Sequence, residues 1–182
     1  MNLNNWFEKG IPSNIYLSSM QVYKEHIEYI LDAFDVRKKD DALFQKLREK
    51  QLRVIVLTEE RSKDAMVNVP ILLKIAAAAN IGVRMLYRDK HTELVNQYLT
   101  NGSYRSIPMF IFIDKKGGEK AVWGPRAPIA QQIVNQLYEE LLPKDDLQKT
   151  LMIGKIVDHY ADNAVLWNDI YEDIVKTLQA IE

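Results

Sequence analysis

The 182-residue sequence contains no cysteine, so it can form no disulfide and carry out no thiol–disulfide exchange. It also lacks an excess of either charge. Its 24 Lys+Arg stand against 25 Asp+Glu, a formal net charge of -1. No run of five like charges occurs, so the electrostatic footprint of a nucleic-acid or anionic-membrane binder is missing. No apolar stretch approaches the roughly 20 residues needed to span a bilayer. The opening residues, Met1 to Trp6, carry neither the basic nor the apolar region of a secretory signal. The three histidines, His26, His91 and His159, sit far apart with no metal-ligand spacing. There is no Gly-rich phosphate cradle, no Gly-x-Ser-x-Gly elbow and no internal repeat. Together these absences point to the cytoplasm, with no nucleic acid, no membrane, no metal and no cofactor expected.

What is present is an ordinary globular balance of 47% hydrophobic and 27% charged residues, enough to bury one substantial core. Three parts are expected: a helical segment at 1–50 packed on the core, an alternating α/β core at 51–142, and a helical extension at 143–182. In the first part Tyr16, Met20, Tyr23, Ile27, Ile30, Leu31 and Phe34 recur at helical spacing. Asp40 and Asp41 are placed to cap a second helix carrying Leu43, Phe44 and Leu47. In the core, residues 54–57 form a β-branched run read as a buried strand. A helical stripe follows through Val69, Leu72, Leu73, Ala76 and Ala79. A second strand at 81–87 precedes a helix at 91–99. Strands at 109–113 and 120–123 flank Gly117-Gly118, a hairpin signal. A helix at 129–142 stops at Pro143. The extension is helical with a break near Asp162-Asn163. Asn101-Gly102-Ser103 reads as a turn rather than a glycosylation site.

The order β-α-β-α-β-β-α, with two parallel strands and then a hairpin, resembles the thioredoxin family. The details that carry the likeness are local. Pro70 lies about two turns into the first core helix, as a kinking proline does in that family. Arg105-Ser106-Ile107-Pro108 resembles its cis-proline loop. Thr58-Glu59 and Asp64-Ala65 match a bacterial branch whose active-site turn reads Trp-Cys-x-Asp-Ala or Trp-Cys-x-Asp-Cys, and Trp123-Gly124-Pro125-Arg126 is similar to that branch too. The likeness implies a thioredoxin-like three-layer sandwich with a mixed central sheet, extended by N-terminal and C-terminal helices, and a family concerned with cell redox homeostasis.

Against that pattern both redox positions are degenerate. Arg61 replaces the tryptophan, Ser62 the nucleophilic cysteine, and Ala65 stands where a resolving cysteine would be. A thioredoxin nucleophile is a thiolate stabilised at a helix N-terminus. A serine hydroxyl there stays protonated and cannot form a disulfide, so no catalytic residue of the redox type remains. The expected role is recognition without redox chemistry: Arg61, Ser62, Lys63, Ile107 and Pro108 form a face for a protein or peptide partner. The alternative is a glutathione- or thiol-dependent transferase in which Ser62 activates the bound thiol. Ser62 also reads simply as an N-cap, and Glu59, Glu60 and Asp64 as acidic residues favoured by the helix dipole. Tyr160, Leu166, Trp167, Ile170, Tyr171, Ile174 and Leu178 carry enough apolar surface to pack on the sheet or to support a homodimer.

Overall fold

Residues 54–57 alternate their side chains across a sheet that is covered on both faces, which is why the run is apolar at every position. In the computed structural model, which describes residues 2–142 and 144–181, they lie in a central strand, β2 (Arg53–Thr58). Val54 and Val56 enter one core, whereas Ile55 and Leu57 enter the other. Strand β4 (Met109–Ile113) alternates likewise, sending Phe110 and Phe112 to the first core and Met109, Ile111 and Ile113 to the second. Strand β3 (Gly82–Tyr87) runs parallel to β2, while β4 and β5 (Glu119–Trp123) are antiparallel to their neighbours. With a two-residue strand β1 (Ile11–Pro12) on β3, the sheet order is β1-β3-β2-β4-β5.

The helices make unequal outer layers. On one face lie α1 (Asn4–Lys9) and α6 (Thr92–Val95), which contribute Phe7, Leu94 and Val95 to the smaller core. The other face carries α2 (Ser13–Ser19), α3 (Lys24–Ala33), α4 (Asp41–Lys50), α5 (Lys63–Ala79), α7 (Pro128–Leu141), α8 (Asp146–Ala161) and α9 (Ala164–Gln179). Helix α5 is the hub of this layer. It packs against α3, α4, α8 and α9 and is buried along most of its length. Pro70 sits inside it, removing one N–H and so one helix-ladder bond to Met66.

The inner faces of the terminal helices are consumed within the chain. Leu166, Trp167, Ile170, Tyr171, Ile174 and Leu178 are all buried beneath α9, as is Tyr160 of α8. The Trp123 indole stacks on Phe110 at 4.9 Å and donates to Asp173 of α9 at 2.8 Å. That ties the last helix to the edge strand.

Several local expectations are revised. The apolar repeat from Tyr16 to Phe34 is not one helix but two, broken at residues 20–23 where Tyr23 adopts φ +59. Both helices keep their apolar residues inward, so the spacing survives the break. Asp40 precedes α4 but makes no cap bond, because its carboxylate accepts from the Tyr171 hydroxyl at 2.7 Å. The helix expected at 91–99 is confined to α6, after which Thr100 and Tyr104 bridge across a turn at Asn101 and Gly102. The N-terminal part, read as wholly helical, also supplies β1. Pro143, the expected helix stop, lies outside the described residues.

Candidate functional site

Strand β2 delivers the chain to the C-terminal edge of the sheet, where it must turn into α5. The turn is closed by the Ser62 N–H bonding to the Glu59 carbonyl at 3.1 Å. Ser62 then caps the helix, its Oγ accepting from the Ala65 N–H at 3.1 Å. The cap satisfies one of the helix's unpaired donors and is worth about 1 kcal/mol. The hydroxyl hydrogen has a poorer partner, the Ile107 carbonyl at 3.5 Å.

Opposite this cap, the Ile107-Pro108 peptide is cis. Among the described residues the Ile107 N–H has no hydrogen-bond partner. The loop is held from behind by the Trp123-Gly124-Pro125-Arg126 segment. Gly124 has φ +129, and a Cβ there would fall 2.3 Å from the Pro108 carbonyl oxygen, so only glycine fits. The Gly124-Pro125 peptide is also cis, and the Pro125 carbonyl accepts from the Asn68 side-chain amide of α5 at 2.9 Å.

Behind the cap lies a buried polar network. Asp64, in the first turn of α5, has a side chain only 7% exposed. It accepts from Arg126 Nε at 2.8 Å and from the Tyr160 hydroxyl at 3.1 Å. Burial works against the Arg126 charge, but the hydrogen bond and charge of Asp64 outweigh it and hold the guanidinium pKa above its ordinary value. Burial first, then the Asp64 charge, push the Tyr160 phenol strongly upward. Asp64 thus serves as an anchor that links the turn, the Arg126 loop and the C-terminal extension. Replacing Asp64 with alanine strands a largely buried guanidinium and phenol. Because Arg126 keeps partial contact with water, the expected loss is about 2–3 kcal/mol by urea denaturation. Asp64→Asn, which retains an acceptor, should lose less. A loss below about 1 kcal/mol in the alanine variant would show that the network is not structural.

The sequence-derived face is only partly assembled. Arg61, Ser62 and Ile107 line a cleft of about 270 Å³ together with Glu59, Asp64, Arg88, Ser106, Pro125 and Arg126. Lys63 and Pro108 do not line it. Arg61 is exposed and makes no ion pair or hydrogen bond among the described residues. Arg88 is engaged by Asp89 and the Arg105 carbonyl. Glu59 and Glu60 act as loop ties rather than an acid–base pair. Glu59 accepts from the Asp89 N–H at 3.0 Å and Glu60 from the Gln21 N–H at 2.8 Å. Sequence reasoning missed Arg88, Ser106 and the site role of Arg126. Ser106 and Arg126 carried a signal, as members of the proline loop and of the Trp-Gly-Pro-Arg segment; Arg88 carried none. No group of three or more His, Cys, Asp or Glu able to hold a metal ion occurs among the described residues. Within them no helix is long and apolar enough to cross a membrane.

A mixed sheet in this order, a capped helix leaving its central strand and a proline loop facing the cap define a protein of the thioredoxin-fold class. A family model described as thioredoxin matches residues 10–141, and the chain belongs to the thioredoxin family. The match begins in the N-terminal segment, ahead of the alternating core. No curated protein matches the chain. Among solved structures, it is similar to a protein of unknown function from Pseudomonas aeruginosa, at 16% identity and a TM-score of 0.64 over 96% of this chain and 93% of that one. It is also similar to an HIV 4E10 epitope scaffold, at 15% identity and a TM-score of 0.63 over 97% of this chain and 99% of that one. Both likenesses concern the fold.

Proposed function

We propose that this thioredoxin-family chain is a redox-inactive binding module that docks an extended segment of a protein partner across the degenerate turn and the proline loop. The observation that carries the reading is the open cleft beside an unpaired Ile107 N–H, with Ser62 capping the helix directly opposite. An unpaired peptide group at a cleft wall favours main-chain pairing with an extended peptide. The free guanidinium of Arg61 adds a donor that can meet a carbonyl or carboxylate on the same segment. In this reading the setting is the cytoplasm, where a protein without disulfides is at no disadvantage. The expected parts are a core at 51–142 bearing the site and terminal helices that brace it.

One observation favours a second reading. The Ser62 hydroxyl hydrogen has only the 3.5 Å contact to Ile107, which leaves it available to a ligand thiolate in a glutathione- or thiol-dependent transferase. Amide spectra separate the two. An unstructured probe such as the alkylated B chain of insulin should shift Arg61, Ser62 and Ile107 saturably. Arg61→Ala should weaken that binding by about three- to tenfold, the value of one exposed charge-assisted bond. Glutathione shifts accompanied by transferase turnover would favour the second reading. Peptide shifts confined to another face would sink the first.

A further inference from the structure

The inner face of α8 is committed to the core through Met152, Ile156 and Tyr160. Its outer face is unusual for a surface helix. Leu147 is 70% exposed and Leu151 59% exposed. At Gly154 an added Cβ would meet nothing within 4 Å. These three positions fall on one stripe, spaced by four and then three residues. Thr150 belongs to it as well. Its hydroxyl is already used on the Asp146 carbonyl at 2.8 Å, which satisfies its polar atom within the helix. The stripe is bounded by Asp146 at one end, with a fully exposed carboxylate, and by the exposed Lys155 at the other. Leu142 and Tyr138, both more than half exposed, add apolar surface at the same end of the α7–α8 hairpin.

We propose that this face is the interface of a homodimer in which α8 packs antiparallel on α8 of a second copy, about a twofold axis between Thr150 and Leu151. The pattern is self-complementary about that point, as an isologous contact requires. Leu147 of each copy falls opposite the partner's Gly154, a large side chain over an open one. Asp146 falls opposite the partner's Lys155, and Asp158 lies close to the partner's Lys144. Thr150 and Leu151 face one another at the axis. An unrelated partner would have to supply this same order of acid, leucine, small residue and base in reverse, and a second copy does so without any further condition. The contact between Asp146 and Lys149 within the helix, 3.4 Å long and exposed, is easily exchanged for the Lys155 pair. One helix pair makes a smaller interface than stable dimers have, so the expected dissociation constant is on the order of 10–100 μM.

Sedimentation velocity of the full chain, from about 5 to about 500 μM, should show monomer converting to dimer in that range. Leu151→Glu, at an exposed position, should leave the circular dichroism unchanged and the protein monomeric throughout. Asp146→Lys and Lys155→Asp should each weaken dimerisation about tenfold, since each puts two like-charge contacts into the symmetric interface. The double variant should recover it. Because the chain has no cysteine, a Thr150→Cys variant offers one thiol per copy beside the axis. It should form a disulfide dimer under mild oxidation much faster than Tyr104→Cys. A native chain that stays monomeric to the highest concentration overturns the proposal. So does a dimer that survives Leu151→Glu, a charge swap that restores nothing, or equal cross-linking at positions 104 and 150.

Discussion

Converting Ser62 and Ala65 to cysteine together is expected to give a protein that reduces insulin disulfides, where the native chain reads blank. The native blank follows from composition, since no thiol is present to attack or to resolve. The gain follows from geometry. Position 62 is the N-cap of a 17-residue helix whose Ala65 N–H already points at the Ser62 oxygen from 3.1 Å. A thiolate placed there receives the same N–H and the positive end of the helix, which lowers a cysteine pKa from about 8.5. The second thiol, introduced by Ala65→Cys, would sit one turn on. From there it is near enough to displace a mixed disulfide formed at position 62 and release the substrate. Ser62→Cys alone should stall at that mixed disulfide. Rates of alkylation against pH would give the thiol pKa directly. A folded double variant that reduces nothing and whose thiols titrate at or above the free value would mean that the turn has lost more than its sulfurs.

The parts of this site that could be read from sequence are those that short-range rules govern. Ser62 is a preferred capping residue three positions ahead of its target, so its role is written within one helical turn. Residues 54–57 and 109–113 announce buried strands by their unbroken apolar runs. Gly117-Gly118 announces the hairpin between the strands that flank it. What could not be read depends on contacts between distant positions. Asp64 fits a first-turn acid by the dipole rule, yet its actual partners are Arg126 and, 96 positions away, Tyr160. Asp40 has the right residue type and place for a cap, but Tyr171 takes its carboxylate. Tyr23 adopts a left-handed backbone that no propensity assigns to tyrosine, and so one expected helix became two. For both aspartates tertiary packing offered a better partner than the local rule did.

The same buried phenols make the fold sensitive to alkali. Burial, offset in part by the hydrogen bond with Thr58, pushes the Tyr16 hydroxyl up to about 12. Tyr160 is raised further by burial and by the Asp64 charge. Tyr171 is raised by burial and by its hydrogen bond to the Asp40 carboxylate. All three are at most 1% exposed. In the unfolded chain each should titrate near 10. Above that pH the unfolded state loses protons that the folded state retains, so the unfolded state binds fewer and stability falls as pH rises. Their contribution is fully present below pH 10 and is lost as pH climbs through the folded values. Each phenol contributes up to about 1.4 kcal/mol per pH unit, and three together on the order of 4 kcal/mol. Against a typical total of about 5–15 kcal/mol, cooperative unfolding is expected within roughly one to three units above pH 10. The part of the tyrosinate absorbance that belongs to these three phenols should appear together with the loss of helical signal rather than before it. Tyr16→Phe is the cleanest variant, because its 3.5 Å contact with Thr58 is the weakest of the three phenols' bonds. It should flatten the slope by about a third and move the midpoint upward. If these phenols ionise near pH 10 while the helical signal stays intact, they are not held as the structure places them.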